Sequence, residues 1–253
     1  MPESTADLRA ITRTPVRVAS PLARYRAEPA RHEIDGDLYL TAMGGADPSF
    51  NFAAVVGPVA PARVFARAEA FFGDTTYSVV VESDTAQPTE DALRAAGWRL
   101  DEDEPALVLA PIPAVIPTPP PGLTIQIVTT DAGLDDFYAV SETPRRWVPS
   151  LAAARDPAVA LFVGYVAGEP VATSRLVRCE DVGDITSVVT APAHRRQGFG
   201  TALTWAACAE GARRGCSAAT LTASTMGYPV YRAMGFVPVC AYRTYLPPAA
   251  SRA

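Results

Sequence analysis

Histidine is nearly absent from this sequence: of 253 residues, only His32 and His194 carry an imidazole. The four cysteines, Cys179, Cys208, Cys216 and Cys240, form no Cys-x-x-Cys pair. A metal site therefore lacks a ligand set, and a secreted disulfide framework lacks its spacing. The thiols read as free and buried in a reducing, cytoplasmic compartment. With so few histidines and no Gly-x-Ser-x-Gly elbow, a nucleophilic hydrolase is disfavoured as well. Basic residues are not in surplus: the formal net charge is −5. That argues against a general nucleic-acid binder and confines any basic patch to a local site for a small anion. No uninterrupted apolar run reaches about 18 residues, and the first residues lack a basic-then-apolar signal, so no membrane partner is expected.

What is present suits a packed α/β protein. Hydrophobic residues make up 49% and charged residues 19%, enough for a core and too apolar for global disorder. Residues 1–30 read as an N-terminal arm with at most one short helix. From Leu38 to Met43 and from Phe50 to Val56 the pattern predicts strands. Pro61 to Phe72 has the spacing of a helix, Tyr77 to Val81 that of a buried strand, and Thr89 opens a helix ending at Gly97. Ala106 to Ala110 closes this half, residues 31–110, as a strand. Residues 111–121 hold six prolines and read as an extended linker.

Residues 122–253 form the second half. Leu123 to Val128 is an alternating strand, Asp131 opens a helix, and Trp147 to Ala154 reads as helical. Val159 to Val166 and Pro170 to Val177 flank a hairpin turn at Ala167-Gly168-Glu169. Ile185 to Val189 is a strand, Gly200 to Arg214 a helix with Glu210 and Arg213 on its wet face, Ser217 to Thr222 a strand, and Phe236 to Tyr245 the last strand. The halves echo each other: strand, helix, strand, helix, then Ala96-Gly97-Trp98 in one and Met234-Gly235-Phe236 in the other.

Between strand and helix in the second half lies Arg195-Arg196-Gln197-Gly198-Phe199-Gly200-Thr201. Glycines let a ligand approach the backbone, and the first amides of a helix lack intrahelical acceptors while its dipole favours an anion. The spacing, Arg-x-x-Gly-x-Gly, is neither a dinucleotide fingerprint nor a P-loop. The first half has Gly57-Pro58-Val59-Ala60-Pro61 there, where prolines remove amide donors.

This loop resembles the acyl-CoA pyrophosphate loop of the GNAT superfamily of N-acetyltransferases. Two further segments resemble that family in order and spacing: Ser187-Val188-Val189-Thr190-Ala191-Pro192, like its splayed fourth strand, and Tyr231-Arg232-Ala233-Met234-Gly235-Phe236, like its Tyr-x-x-x-Gly-Phe segment. The resemblance implies tandem α/β (α+β) domains, each a mixed, mainly antiparallel sheet flanked by helices, the first a degenerate copy. It implies acetyl-CoA as the acyl donor and an amine, of a small molecule or a peptide, as the acceptor. Val188, Val189, Thr190, Arg195, Arg196, Gln197, Gly198, Phe199, Gly200, Thr201 and Ser224 would hold the cofactor. Ser224 stands where the family commonly has asparagine. Tyr231 would be the catalytic acid: a phenol, with a pKa of about 10, is protonated at neutral pH and can donate to a departing thiolate. No general base is evident; Asp184, Glu180 and Asp181 read as solvated strand-end charges, and His194 as an exposed turn residue. Because of Ser224 and the missing base, a non-catalytic acyl-CoA-binding regulatory or interaction module is the alternative reading.

Overall fold

The computed structural model describes residues 5–17, 20–25, 29–45, 47–141 and 150–248. Two compact units emerge, each drawing on distant parts of the chain. The N-terminal unit combines the described residues from Pro29 to Ala106 with those from Val239 onward. The C-terminal unit combines Leu107–Pro238 with the described residues up to Tyr25.

In the N-terminal unit, β1 (Arg31–Asp35), β2 (Leu38–Ala42) and β3 (Asn51–Val55) are antiparallel neighbours, and β4 (Ser78–Glu82) lies parallel to β3. Parallel neighbours need a crossover. Here it is α2 (Pro61–Phe72), which occupies the span its apolar spacing predicts. Val64, Ala68, Phe71 and Phe72 of α2 form one core with Leu38, Leu40, Ala53, Val55, Val79 and Val81. Next comes α3 (Gln87–Ala95). It starts before Thr89, because Pro88 suits the first turn; the Thr89 hydroxyl bonds the Val59 carbonyl at 3.4 Å instead of capping the helix. The next strand, β5 (Arg99–Leu109), begins well before Ala106. Its acidic start is held from the side by Arg243, which binds Asp103 at 3.1 Å. Arg243 belongs to β11 (Val237–Leu246), which pairs antiparallel with β4 from Tyr242↔Glu82 to Tyr245↔Val79.

The C-terminal unit is built on β6 (Leu123–Ile127), β7 (Val159–Val166), β8 (Glu169–Cys179) and β9 (Val182–Thr190), antiparallel in that order, with β10 (Ala218–Thr222) parallel to β9. The end of β5 joins them, where the Thr220 hydroxyl donates to the Leu107 carbonyl at 3.0 Å. The strand β7 reads as a continuous apolar run because both of its faces are covered. Ala160 and Phe162 pack with Leu203, Ala207 and Cys208 of α6 (Phe199–Arg213). Val159, Leu161 and Val163 pack with Leu134 and Phe137 of α4 (Asp131–Ser141) and with Ala153 and Ala154 of α5 (Leu151–Ala154). The helix expected from Trp147 lies outside the described residues as far as Pro149; Ser150 then caps α5 by accepting from the Ala153 amide at 3.2 Å.

The N-terminal arm contains α1 (Thr5–Arg17), a helix of 13 residues. It packs on β9 and β10 and is tied by Arg17 to Glu180 at 2.6 Å. Behind it, Arg24 and the Tyr25 hydroxyl both reach the buried Asp156 at 2.9 Å. Glu210 corrects a reading of the helical pattern: only 8% exposed, it sits between Arg213 and Arg214 at 2.6 and 2.7 Å. Those two guanidiniums hold its carboxyl below the usual carboxylate range.

Candidate functional site

The site begins where two parallel strands part. β9 pairs with β10 only at Val182, Gly183 and Asp184, yet continues to Thr190 with β8 on its other side. From Ile185 onward no strand partner occupies its β10-facing edge among the described residues. Backbone groups on such an edge seek a ligand or water. A bulge interrupts this stretch. The register passes from Thr173↔Val189 to Arg175↔Thr186, Ser187 takes φ 51°, and the Thr173 hydroxyl donates to the Ser187 carbonyl at 3.0 Å. Bulges of this kind re-aim the groups beside them.

Beyond Thr190 the chain makes a short 3-10 turn, Pro192–His194, and enters α6. The Arg195 side chain is folded back on the Thr190 carbonyl at 3.2 Å, while Arg196 and Gln197 are exposed. Gly198, at φ 80°, occupies the cap position, and no side chain caps the helix. The first-turn amides of α6 therefore have no capping side-chain acceptor at the positive end of the helix dipole, an arrangement that favours an anion. Gly200 lies against β9: a Cβ there would stand 3.4 Å from Thr190 Oγ1 and 3.8 Å from Val188 Cγ1. Phe199 is buried at the helix start, with the half-buried His194 ring 6.4 Å away. The sequence-derived residues 188–190 and 195–201 thus meet at one corner of the unit.

Tyr231 and Ser224 lie around α7 (Tyr228–Ala233). Tyr231 is 9% exposed and sits in the same apolar cluster as Phe199, Leu203 and Val188, its ring edge-on to Phe236 at 5.9 Å. Ser224 is exposed and uses its hydroxyl locally, accepting from the Gly227 amide at 3.2 Å.

One cluster escaped the sequence reading. Arg175, on β8, is 8% exposed and donates from Nε to Thr186 Oγ1 at 2.8 Å. Asp184, one β9 position before Ile185, is not a solvated strand-end charge. Although partly exposed, its carboxyl is pushed up to about 6 by burial, against the pull of Arg175. No pattern announces this pair, because strand alternation records only that position 175 faces inward. The sign of its effect is fixed: the folded carboxyl holds its proton more tightly than the unfolded one. This group's contribution to stability is therefore greatest below about pH 4, falls as pH rises to about 6, and is level above. The full fall is at most about 3 kcal/mol. Denaturant melts at pH 4.5 and 7.5 should show Asp184→Asn lacking this fall relative to wild type; parallel curves would refute the assignment.

With this geometry in place, comparison with known proteins is informative. The family model for the acetyltransferase (GNAT) family matches residues 129–236. Those residues are a GNAT acetyltransferase domain. No curated protein matches the sequence. Among solved structures, the chain is similar to a GCN5-related N-acetyltransferase from Kribbella flavida, at 20% identity and TM-score 0.76 over 96% of each chain. A GCN5-related N-acetyltransferase from Sphaerobacter thermophilus matches at 19% identity and TM-score 0.57, over 98% of this chain and 96% of its own. A tandem GNAT protein from the clavulanic acid biosynthesis pathway matches at 16% identity and TM-score 0.58, over 94% and 92%. These likenesses show the fold. The expected α/β class, with mixed and mainly antiparallel sheets flanked by helices, is the one observed. Among the described residues, no group of three metal-binding side chains occurs in or near the GNAT domain, and no helix is long and apolar enough to cross a membrane.

Proposed function

We propose that the GNAT domain transfers an acetyl group from acetyl-CoA directly to an amine. The observation that carries this reading is the corner where the unpaired edge of β9 meets the uncapped start of α6. The residues present fit that ligand. The open edge at Val188, Val189 and Thr190 can take an extended amide-bearing arm, and the amides of 196–201, with Arg195 and Arg196 beside them, can take a diphosphate. Gly200 keeps the approach clear. Acetyl-CoA, when bound, supplies the acetyl group as a thioester. Tyr231 would hold the proton for the departing sulfur. Asp184, the last β9 residue paired with β10, is the candidate acceptor of a proton from the incoming ammonium. Its raised pKa suits a base working near neutrality better than an ordinary carboxylate.

The N-terminal unit would be a degenerate copy. At the matching place in that unit, the Asp37 side chain packs against Gly57 where any Cβ would collide with it, and Pro61 opens α2. A carboxylate and a missing amide donor both oppose phosphate binding. Residues 31–110 would be the degenerate copy, 111–121 the linker and 122–253 the acetyltransferase domain.

Release of CoA in the presence of a broad amine panel tests the reading. Wild type should turn over at least one amine, and Tyr231→Phe should lower kcat about 100-fold with CoA affinity unchanged. Binding of acetyl-CoA with no turnover of any amine would favour the second reading, a non-catalytic acyl-CoA-binding module. The local use of the Ser224 hydroxyl favours that reading. Absence of calorimetric binding would overturn both.

A further inference from the structure

Leu176 of β8 and Ile185 of β9 are register partners, and both belong to the apolar cluster packed on α6. Side chains alternate along a strand. The flanking partners Arg175↔Thr186 and Val177↔Asp184 therefore lie on the opposite face. The bulge at Ser187 ends that face: Val188, three residues after Ile185, packs with the α6-side cluster again. Arg175 and Asp184 are thus diagonal neighbours across two strands. Diagonal positions stand about 7–8 Å apart, within reach of a long side chain.

Arg175 is anchored beside that carboxyl. It is 8% exposed, and its Nε donates to Thr186 Oγ1 at 2.8 Å, two β9 positions from Asp184. Burial lowers the guanidinium's affinity for its proton, yet an arginine stays charged at any working pH, where a buried lysine readily would not. The other elements packed on β9 were searched for rival charges. From β10, Thr220 stands opposite Asp184 with its hydroxyl given to the Leu107 carbonyl. From β8, the Cys179 thiol is pushed up to about 12, by burial first and by the Asp184 charge second. Packed on both strands, α4 brings Tyr138 towards Arg175 and carries Asp131, Asp135 and Asp136. The charged residues of α1 are Asp7, Arg9, Arg13 and Arg17, the last paired with Glu180. Among these groups, the charge that bears on the Asp184 carboxyl is that of Arg175.

We propose that Arg175 is a positioning residue for acetyl transfer: anchored on Thr186, its buried charge keeps Asp184 ionised at neutral pH, ready to take a proton from the acceptor ammonium. The inference rests on the reading of Asp184 as the base. Two opposing influences meet on that carboxyl. Burial makes it basic enough to accept a proton, and a cation on the same face stops burial from leaving it permanently protonated. Arg175 exchanges no proton itself. The proton that leaves the ammonium passes to an Asp184 carboxylate oxygen and is later returned to water.

Carbon-13 titration of the aspartate carboxyls in the full chain tests this, the Asp184 resonance being the one lost in Asp184→Asn. In Arg175→Met the Asp184 midpoint should rise from about 6 by about one pH unit or more. Thr186→Val nearly keeps the side chain's shape but removes the anchor. It should move the midpoint the same way by less, and it gives the answer should the methionine variant not fold. The acid limb of kcat/KM, measured with any amine that turns over, should rise with the midpoint. Arg175→Met then loses about fivefold against wild type at pH 6 and recovers to within about threefold at pH 8.5. Equal loss at both pH values would mean a merely structural role and overturns the proposal. So does an Asp184 midpoint unmoved in both variants, whether or not any amine turns over. A midpoint that moves while the acid limb stays in place removes Asp184 as the base, and with it any part for Arg175 in transfer, so the two failures are told apart.

Discussion

Tyr245→Ala, eight residues from the chain's last residue, is expected to destabilise the N-terminal unit by about 3–5 kcal/mol. Tyr245 has no exposed surface and belongs to the core cluster that holds Val64, Phe72, Val79 and Leu93. Its hydroxyl donates to Glu90 at 3.0 Å. The Glu90 carboxylate is itself buried and also binds Arg94 at 2.7 Å and Arg243 at 2.9 Å. Alanine would open a cavity and withdraw one of the donors that compensate a buried charge. Since a domain's net stability is only about 5–15 kcal/mol, the loss is a large share of it. Tyr245→Phe should cost about 1–2 kcal/mol, isolating the hydroxyl. Urea unfolding followed through Trp98, which packs against this core, measures both. An unchanged midpoint for the alanine variant would mean that β11 is not part of the unit that holds Trp98.

That dependence is the kind of fact the sequence conceals. Features set by neighbours along the chain were legible. The α2 span follows from apolar spacing after Pro61, and the β7–β8 hairpin from Ala167-Gly168, whose φ values of 51° and 86° match a tight turn. The glycine loop announced the start of α6 because Gly198 takes the positive φ of 80° that the turn into the helix requires. Features set by distant partners were not legible. Nothing in Val239 to Leu246 says that it pairs with β4, and the acidic start of β5 offers no apolar alternation to reveal a strand. The N-terminal arm read as holding at most one short helix, yet α1 runs for 13 residues and is secured by contacts to β9, β10 and Glu180. Glu210 and Asp184 share one cause of misreading. A polar side chain is taken as solvated until its partners, or the lack of them, are known.

At the candidate cofactor corner, Gly200→Val should weaken CoA binding about 100-fold, the largest effect expected of any single change there. The glycine's Cα faces Thr190 and Val188 so closely that a single methyl would already be in contact. Alanine fits and should cost less than tenfold. Valine's two further methyls must either push the first turn of α6 away from β9 or stand over the amides that would receive the phosphates. Losing one charge-assisted hydrogen bond, worth about 1.5–3 kcal/mol, accounts for the factor. Gly198→Val acts differently. Its backbone is at φ 80°, where a β-branched residue is strained, and a Cβ there would stand 3.4 Å from Pro120. It should therefore lower the melting temperature as well as the affinity, whereas Gly200→Ala should leave both nearly intact. Calorimetry and thermal melts on the three variants separate backbone strain from steric closure. Full affinity in Gly200→Val would place the diphosphate elsewhere and remove the basis for assigning residues 196–201 to it.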